Sequence, residues 1–162
     1  MTKPSPPPPL RLESEADTAR LAVVFAHHMS AGDVLLLNGG LAAGKTFFVR
    51  AAIAALGSPD AVSSPTYTLA NIYSSPKGPV LHIDAYRLDS AADFADLALE
   101  DELENGLAFI EWGALLADEF DDYVALALAP EPEAEQARIA TLSSQGPRGA
   151  ALLARVLAEV AP

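Results

Sequence analysis

The chain contains no cysteine. That removes disulfides, thiolate catalysis and cysteine metal sites together, so a metal would need oxygen or histidine ligands, which favours a hard ion such as Mg²⁺. Basic residues are scarce: 10 Lys and Arg stand against 22 Asp and Glu, a formal charge of −12. Such a field repels nucleic acid, and no Lys/Arg cluster overrides it locally. Direct nucleic-acid binding is therefore not expected; if RNA is involved, a partner does the holding. Solubility alone is the other reading of the charge. No stretch approaches the ~18 consecutive apolar residues of a membrane span. The first residues, Met1, Thr2, Lys3 and then prolines, lack the apolar core of a signal peptide. The expectation is a cytoplasmic protein without a membrane anchor.

What is present suffices for one core. The chain has 162 residues, 51% of them hydrophobic, which fits a single compact domain. Pro4 and the run Pro6 to Pro9 lack backbone donors and favour an extended, polyproline-like segment, so residues 1–11 are expected to form a disordered tail and 12–162 the domain. Ser14 followed by Asp17 reads as a helix cap, and Leu21, Val24, Phe25 and Met29 recur at helical spacing, predicting a helix from Ser14 to about Ser30. His27 and His28 near its end point about 100° apart. They make a poor metal pair and a good complement to the helix C-terminus.

Val34 to Leu37 is a short apolar run that predicts a buried strand, followed by a glycine-rich turn and a helix from Lys45 to Leu56 ended by Gly57. Tyr67 to Tyr73 and Val80 to Asp84, with turn-forming residues between, predict a hairpin. Ser90 with Asp93 caps a helix through about Leu99, Asn105 and Gly106 break the chain, and Leu107 to Ile110 predicts a strand ending at Glu111. A second hairpin, Tyr123 to Ala129 with Arg138 to Ser143, precedes a last helix from Arg148 to Val160. This order predicts an α/β fold, a P-loop NTPase-like three-layer sandwich with a mixed β-sheet.

Gly39, Gly40, Leu41, Ala42, Ala43, Gly44, Lys45 and Thr46 spell GxxxxGK[ST] between a predicted strand and a predicted helix. Each part has a task. Backbone N–H groups of the loop and helix start converge on phosphate oxygens, the glycines permit tight turns and close approach, Lys45 reaches the β- and γ-phosphates, and Thr46 can ligate Mg²⁺. Such a loop also needs an acid at the end of a neighbouring strand. Glu111 and Asp84 both end apolar runs and are the two candidates. His82, Asp84, Tyr86 and Arg87 form either a functional constellation or a surface loop with a core-facing His82. Ser63 to Thr68 is either a loop that orders on a γ-phosphate or an ordinary loop entering a strand.

The series GGLAAGKT (39–46), SPTYTL (64–69), HIDAYRL (82–88) and EW (111–112), in this order and spacing, resembles the TsaE (YjeE) family. These are bacterial ATPases needed for the threonylcarbamoyl modification of adenosine 37 in tRNA. The resemblance covers about residues 12 to 155. It implies that Thr46 and Glu111 ligate Mg²⁺, that Asp84 matters for hydrolysis beside Lys45, and that Ser64 to Tyr67, including Thr66, act as a switch on the nucleotide. It further implies that Trp112 lies beside the nucleotide, and that Ser14 with Thr18 and Arg138 approach it from either end. The implied partners are TsaD and its TsaB companion. Two positions depart from the family's usual GDLGAGKT: Gly40 replaces the Asp and Ala42 the third Gly. If Ala42 takes a left-handed conformation, it costs roughly 1–2 kcal/mol.

Other functions compete for the same loop. A small-molecule kinase would need an arginine-bearing lid, which only 10 basic residues poorly supply. A GTPase would carry the guanine-reading NKxD, yet no Asn here is followed by Lys. A nucleotide-sensing module that does not turn over is the non-enzymatic alternative.

Overall fold

A computed structural model describes residues 6–40, 42–58 and 70–160. Leu41, Thr66 and the expected switch segment Ser64 to Tyr67 lie outside the described residues.

Seven strands form one mixed sheet: β1 (Leu10–Leu12), β2 (Val34–Asn38), β3 (Ala70–Tyr73), β4 (Val80–Asp84), β5 (Leu107–Glu111), β6 (Tyr123–Glu131) and β7 (Ala134–Gln145), in the order β1-β7-β6-β2-β5-β4-β3. The centre is parallel, with β2 between β5 and β6 and β4 beside β5, while β1, β7 and β3 pair antiparallel. Strands buried on both faces read as continuous apolar runs rather than alternating ones, and β2 and β5 do so. Alternation of side chains still sorts each strand's residues between two cores. Leu35, Leu37, Val80, Leu107 and Phe109 face α1 (Glu15–His28), α2 (Lys45–Ala55) and α5 (Gly146–Val160). Leu36, Leu81, Ile83, Ala108 and Ile110 face the opposite layer, where Phe94 of α3 (Ala91–Ala95) and Leu116 of a 3₁₀ segment (Gly113–Glu119) pack. The fold is the three-layer P-loop NTPase-like sandwich that the sequence predicts.

The caps behave as their residue types dictate. Ser14 Oγ accepts from the Asp17 amide at 3.3 Å and Asp17 Oδ2 accepts from the Glu13 amide at 3.0 Å, fixing the start of α1. At its other end, Lys77 Nζ donates to the carbonyls of Ala26, His27 and Met29 at 2.8–2.9 Å, satisfying acceptors that a helix terminus leaves open. No described helix is long and apolar enough to cross a membrane.

Three elements differ from the sequence reading. The boundary drawn at residue 11 falls inside β1, because Leu10 and Arg11 pair with Ala140 and Ile139 of β7. The single helix expected from Ser90 to Leu99 is two: α3 stops at Ala95, Ala98 turns left-handed at φ 52°, and α4 (Glu100–Asn105) begins anew. Leu97, Leu99 and Leu103 thereby all reach the second core, which one straight helix would not allow. The last hairpin is longer than expected and shifts register at Pro130/Glu131, where proline cannot donate to the ladder.

Candidate functional site

The parallel strands β2, β4 and β5 end on one side of the sheet, and the loop leaving β2 turns there into α2. Gly39 has φ 146°, and a Cβ on it would stand 2.5 Å from the Leu128 carbonyl of β6, so only glycine fits this close approach. Ala42 takes the left-handed conformation at φ 61°, as its departure from glycine made a concern. The free amides of α2's first turn open beside the loop into a cavity of about 420 Å³. Its walls include Ala42 to Thr46, Asp84, Glu111, Trp112 and Arg138.

Lys45 is only 5% exposed. Its Nζ donates to the carbonyls of Gly39 at 2.7 Å and Gly40 at 2.8 Å and sits 4.1 Å from the centre of the Trp112 ring. Burial pushes its ammonium below the ordinary lysine range, while the negative charges of Glu111 and Asp84 pull it back up. Thr46 Oγ1 donates to both carboxylate oxygens of Glu111, at 2.9 and 3.1 Å. Glu111 is 4% exposed and also meets Nε2 of His82, a fully buried residue on the neighbouring strand. Asp84 lies opposite Glu111 in the β4–β5 register, and its Oδ1 accepts from the Tyr86 amide at 3.0 Å, capping a 3₁₀ turn (Ala85–Arg87).

Trp112 follows Glu111 in a left-handed turn, φ 59°, and its ring lies 5.0 Å from that of Tyr86. Two contacts hold this turn that the sequence did not flag: Asn38 Oδ1 accepts from the Ala114 amide at 2.8 Å, and Gly113 lies so near Leu36 that a Cβ would come within 2.7 Å. Asn38 immediately precedes the glycine-rich loop, a strand-end position where a turn-bonding side chain is a readable signal. Arg138 reaches across from β7, with Nε donating to the Ala43 carbonyl at 2.9 Å, Nη2 to the Ala42 carbonyl at 3.4 Å, and Nη1 to the backbone carbonyls of Glu135 and Ala137. It grips the loop backbone. Ser14 is occupied as a helix cap, and Glu15 and Thr18 are the residues of that helix end that line the cavity.

The donor set suits a hard divalent ion: a threonine hydroxyl and a carboxylate already share one small volume, with a second carboxylate opposite in register. Loop amides, an ammonium and these acids together suit a polyphosphate carrying such an ion.

Known proteins resemble this chain in sequence and in fold. The profile of the family described as "Threonylcarbamoyl adenosine biosynthesis protein TsaE" matches residues 12–139. Proteins described as tRNA threonylcarbamoyladenosine biosynthesis protein TsaE are similar to this chain in several bacteria. The one from Rickettsia prowazekii (strain Madrid E) is 39% identical over 106 residues, covering 65% of this chain and 74% of that protein. The one from Treponema pallidum (strain Nichols) is 40% identical over 111 residues, 68% and 82% of the two chains. The one from Streptomyces coelicolor (strain ATCC BAA-471 / A3(2) / M145) is 35% identical over 140 residues, 83% and 95%. A solved structure, "Crystal structure of Bacillus subtilus YdiB", superposes with a TM-score of 0.74 at 24% identity over 94% of this chain and 95% of that one, which establishes likeness of fold.

Proposed function

The chain belongs to the TsaE family of tRNA threonylcarbamoyladenosine biosynthesis, and on that premise we propose that it is an ATPase hydrolysing ATP to ADP and phosphate for that modification of tRNA. The observation that carries this reading is the meeting of Lys45, Thr46, Glu111 and Asp84 around one cavity at the glycine-rich loop. Loop amides and the Lys45 ammonium would bind the β- and γ-phosphates, with Lys45 exchanging its two carbonyl acceptors for phosphate oxygens. Thr46 and Glu111 would hold Mg²⁺, which neutralises charge developing on the phosphates. Asp84, fixed by the Tyr86 amide, would orient the attacking water. Trp112 would flank the nucleotide, and Arg138 would set the loop backbone that receives it. Because the chain is strongly acidic, with a formal charge of −12, the tRNA itself would be left to partners, the TsaD and TsaB-like subunits.

Two measurements test this. Phosphate release from ATP should be low for the isolated chain and rise when those subunits are added; full activity indifferent to any partner would instead favour a self-sufficient kinase. Asp84→Asn should keep Mg²⁺-dependent binding of a non-hydrolysable ATP analogue and lose most turnover, whereas Glu111→Ala should lose both. The reverse pattern would exchange the roles of the two acids.

A further inference from the structure

A histidine in a protein core needs a reason. Burying a polar ring without hydrogen bonds costs free energy that an apolar ring of the same shape would not. His82 is fully buried in the middle of β4, beside Phe109 of β5 in register, among the side chains that face α2. Its Nε2 contacts Glu111 Oε2, and its Nδ1 has no partner among the described residues. The polarity of this residue therefore serves one neighbour. A carboxylate that is to ligate a cation can only accept, so in that state the bond requires the hydrogen on Nε2.

Glu111 is thus held from two sides. Thr46 Oγ1 approaches both carboxylate oxygens from the loop helix, while His82 binds Oε2 from within the sheet. The two grips differ in kind. Thr46 lines the cavity and its hydroxyl is itself a candidate metal ligand, so its bond to Glu111 is replaceable when an ion enters. His82 is sealed in the core and stays.

We infer that His82 is a positioning residue, which fixes the Glu111 carboxylate with Oε2 anchored and Oε1 turned to the Thr46 hydroxyl for the divalent ion that accompanies the nucleotide. This rests on the proposed reading of the site as one for a nucleotide with its metal. Outer partners of metal ligands orient them, and their loss typically lowers metal affinity about 10–100-fold.

The test compares the intact chain with His82→Gln and His82→Met. Glutamine places an amide nitrogen about as far from Cβ as Nε2; methionine matches that length without a donor and suits an apolar core. A non-hydrolysable ATP analogue is titrated calorimetrically with Mg²⁺ and again with a chelator, after thermal melts establish folding. The gain in affinity that Mg²⁺ confers should fall about 10–100-fold in His82→Met and be largely kept in His82→Gln. Affinity in chelator, set by the loop and Lys45, should change little. If His82→Met keeps the whole gain, or His82→Gln loses as much as His82→Met, the inference is overturned. Should His82→Met not fold, His82→Asn, whose amide stops at the Nδ1 position, takes its place with the same expectation. Absence of any Mg²⁺ gain in the intact chain would overturn the nucleotide-and-metal reading itself, a result told apart because the unaltered protein shows it.

Discussion

Replacing Lys45 by methionine keeps the length of the side chain and removes its charge. In the structure the ammonium donates to two loop carbonyls at 2.7 and 2.8 Å and faces the Trp112 ring. Binding ATP exchanges neutral acceptors for charged ones, so what counts is a difference. The ammonium's bonds to the carbonyls are already charge-assisted, and making the acceptor ionised as well strengthens each by about 1–1.5 kcal/mol, the usual step from an ordinary to a charged hydrogen bond. Two exchanged bonds thus favour the bound state by about 2–3 kcal/mol. With tenfold for every 1.4 kcal/mol, Lys45→Met should bind the ATP analogue about 30- to 150-fold more weakly. Stability should move little, within about 1 kcal/mol, because two lost bonds are offset by relief of a buried charge that already lowers the lysine's proton affinity. Calorimetric titration with Mg²⁺, paired with a thermal melt without nucleotide, measures both. A folded Lys45→Met chain with unchanged affinity would refute the phosphate-binding assignment, and one that unfolds would show that Lys45 holds the loop rather than awaiting a ligand.

The same ammonium predicts a pH effect. Because burial lowers its folded-state value below the ordinary 10.5, the unfolded chain binds more protons in the window just beneath that value. Its contribution to stability therefore rises with pH there, while ATP affinity falls; titrations across alkaline pH should show the fall in the intact chain and not in Lys45→Met. Trp112 is the sole tryptophan and touches Lys45, so its emission should change on binding ATP with Mg²⁺; saturating turnover without any change would remove it from the site. Ala42→Gly relieves a left-handed alanine worth roughly 1–2 kcal/mol, partly offset by glycine's greater unfolded-state freedom of about 0.5–1 kcal/mol. A denaturant melt should show a gain of up to about 1.5 kcal/mol, and a clear loss would mean that the methyl group packs usefully. Lys77→Met strips three carbonyls at the end of α1 of their donor. Water can reach the His27 carbonyl, but the bonds to Ala26 and Met29 are partly buried, so the melt should register a loss of about 1–3 kcal/mol.

Much of this molecule is written locally. The glycine-rich loop between an apolar run and a helix, the serine caps at Ser14 and Ser90, and the breaks at Gly57 and Asn105 follow from backbone preferences of a few adjacent residues. Those features are legible in the chain because their physics spans only a turn or two. The site's chemistry was partly legible for the same reason: Lys45 and Thr46 belong to a contiguous motif, and acids that end apolar runs stand out. The sheet order was not. Placing β5 between β2 and β4 brings Glu111 to Thr46 across 65 positions, and folding β7 back on β6 brings Arg138 to Ala43 across 95. Nothing near either residue encodes its partner; burial summed over whole strands decides which edges meet. Pairing with β7 likewise drew Leu10 and Arg11 out of a proline-rich stretch into β1, and packing against the second core split one expected helix into α3 and α4. The neighbour of His82 was likewise decided only there: period-two alternation put it on the face of α2, where the tertiary register set its ring against Glu111.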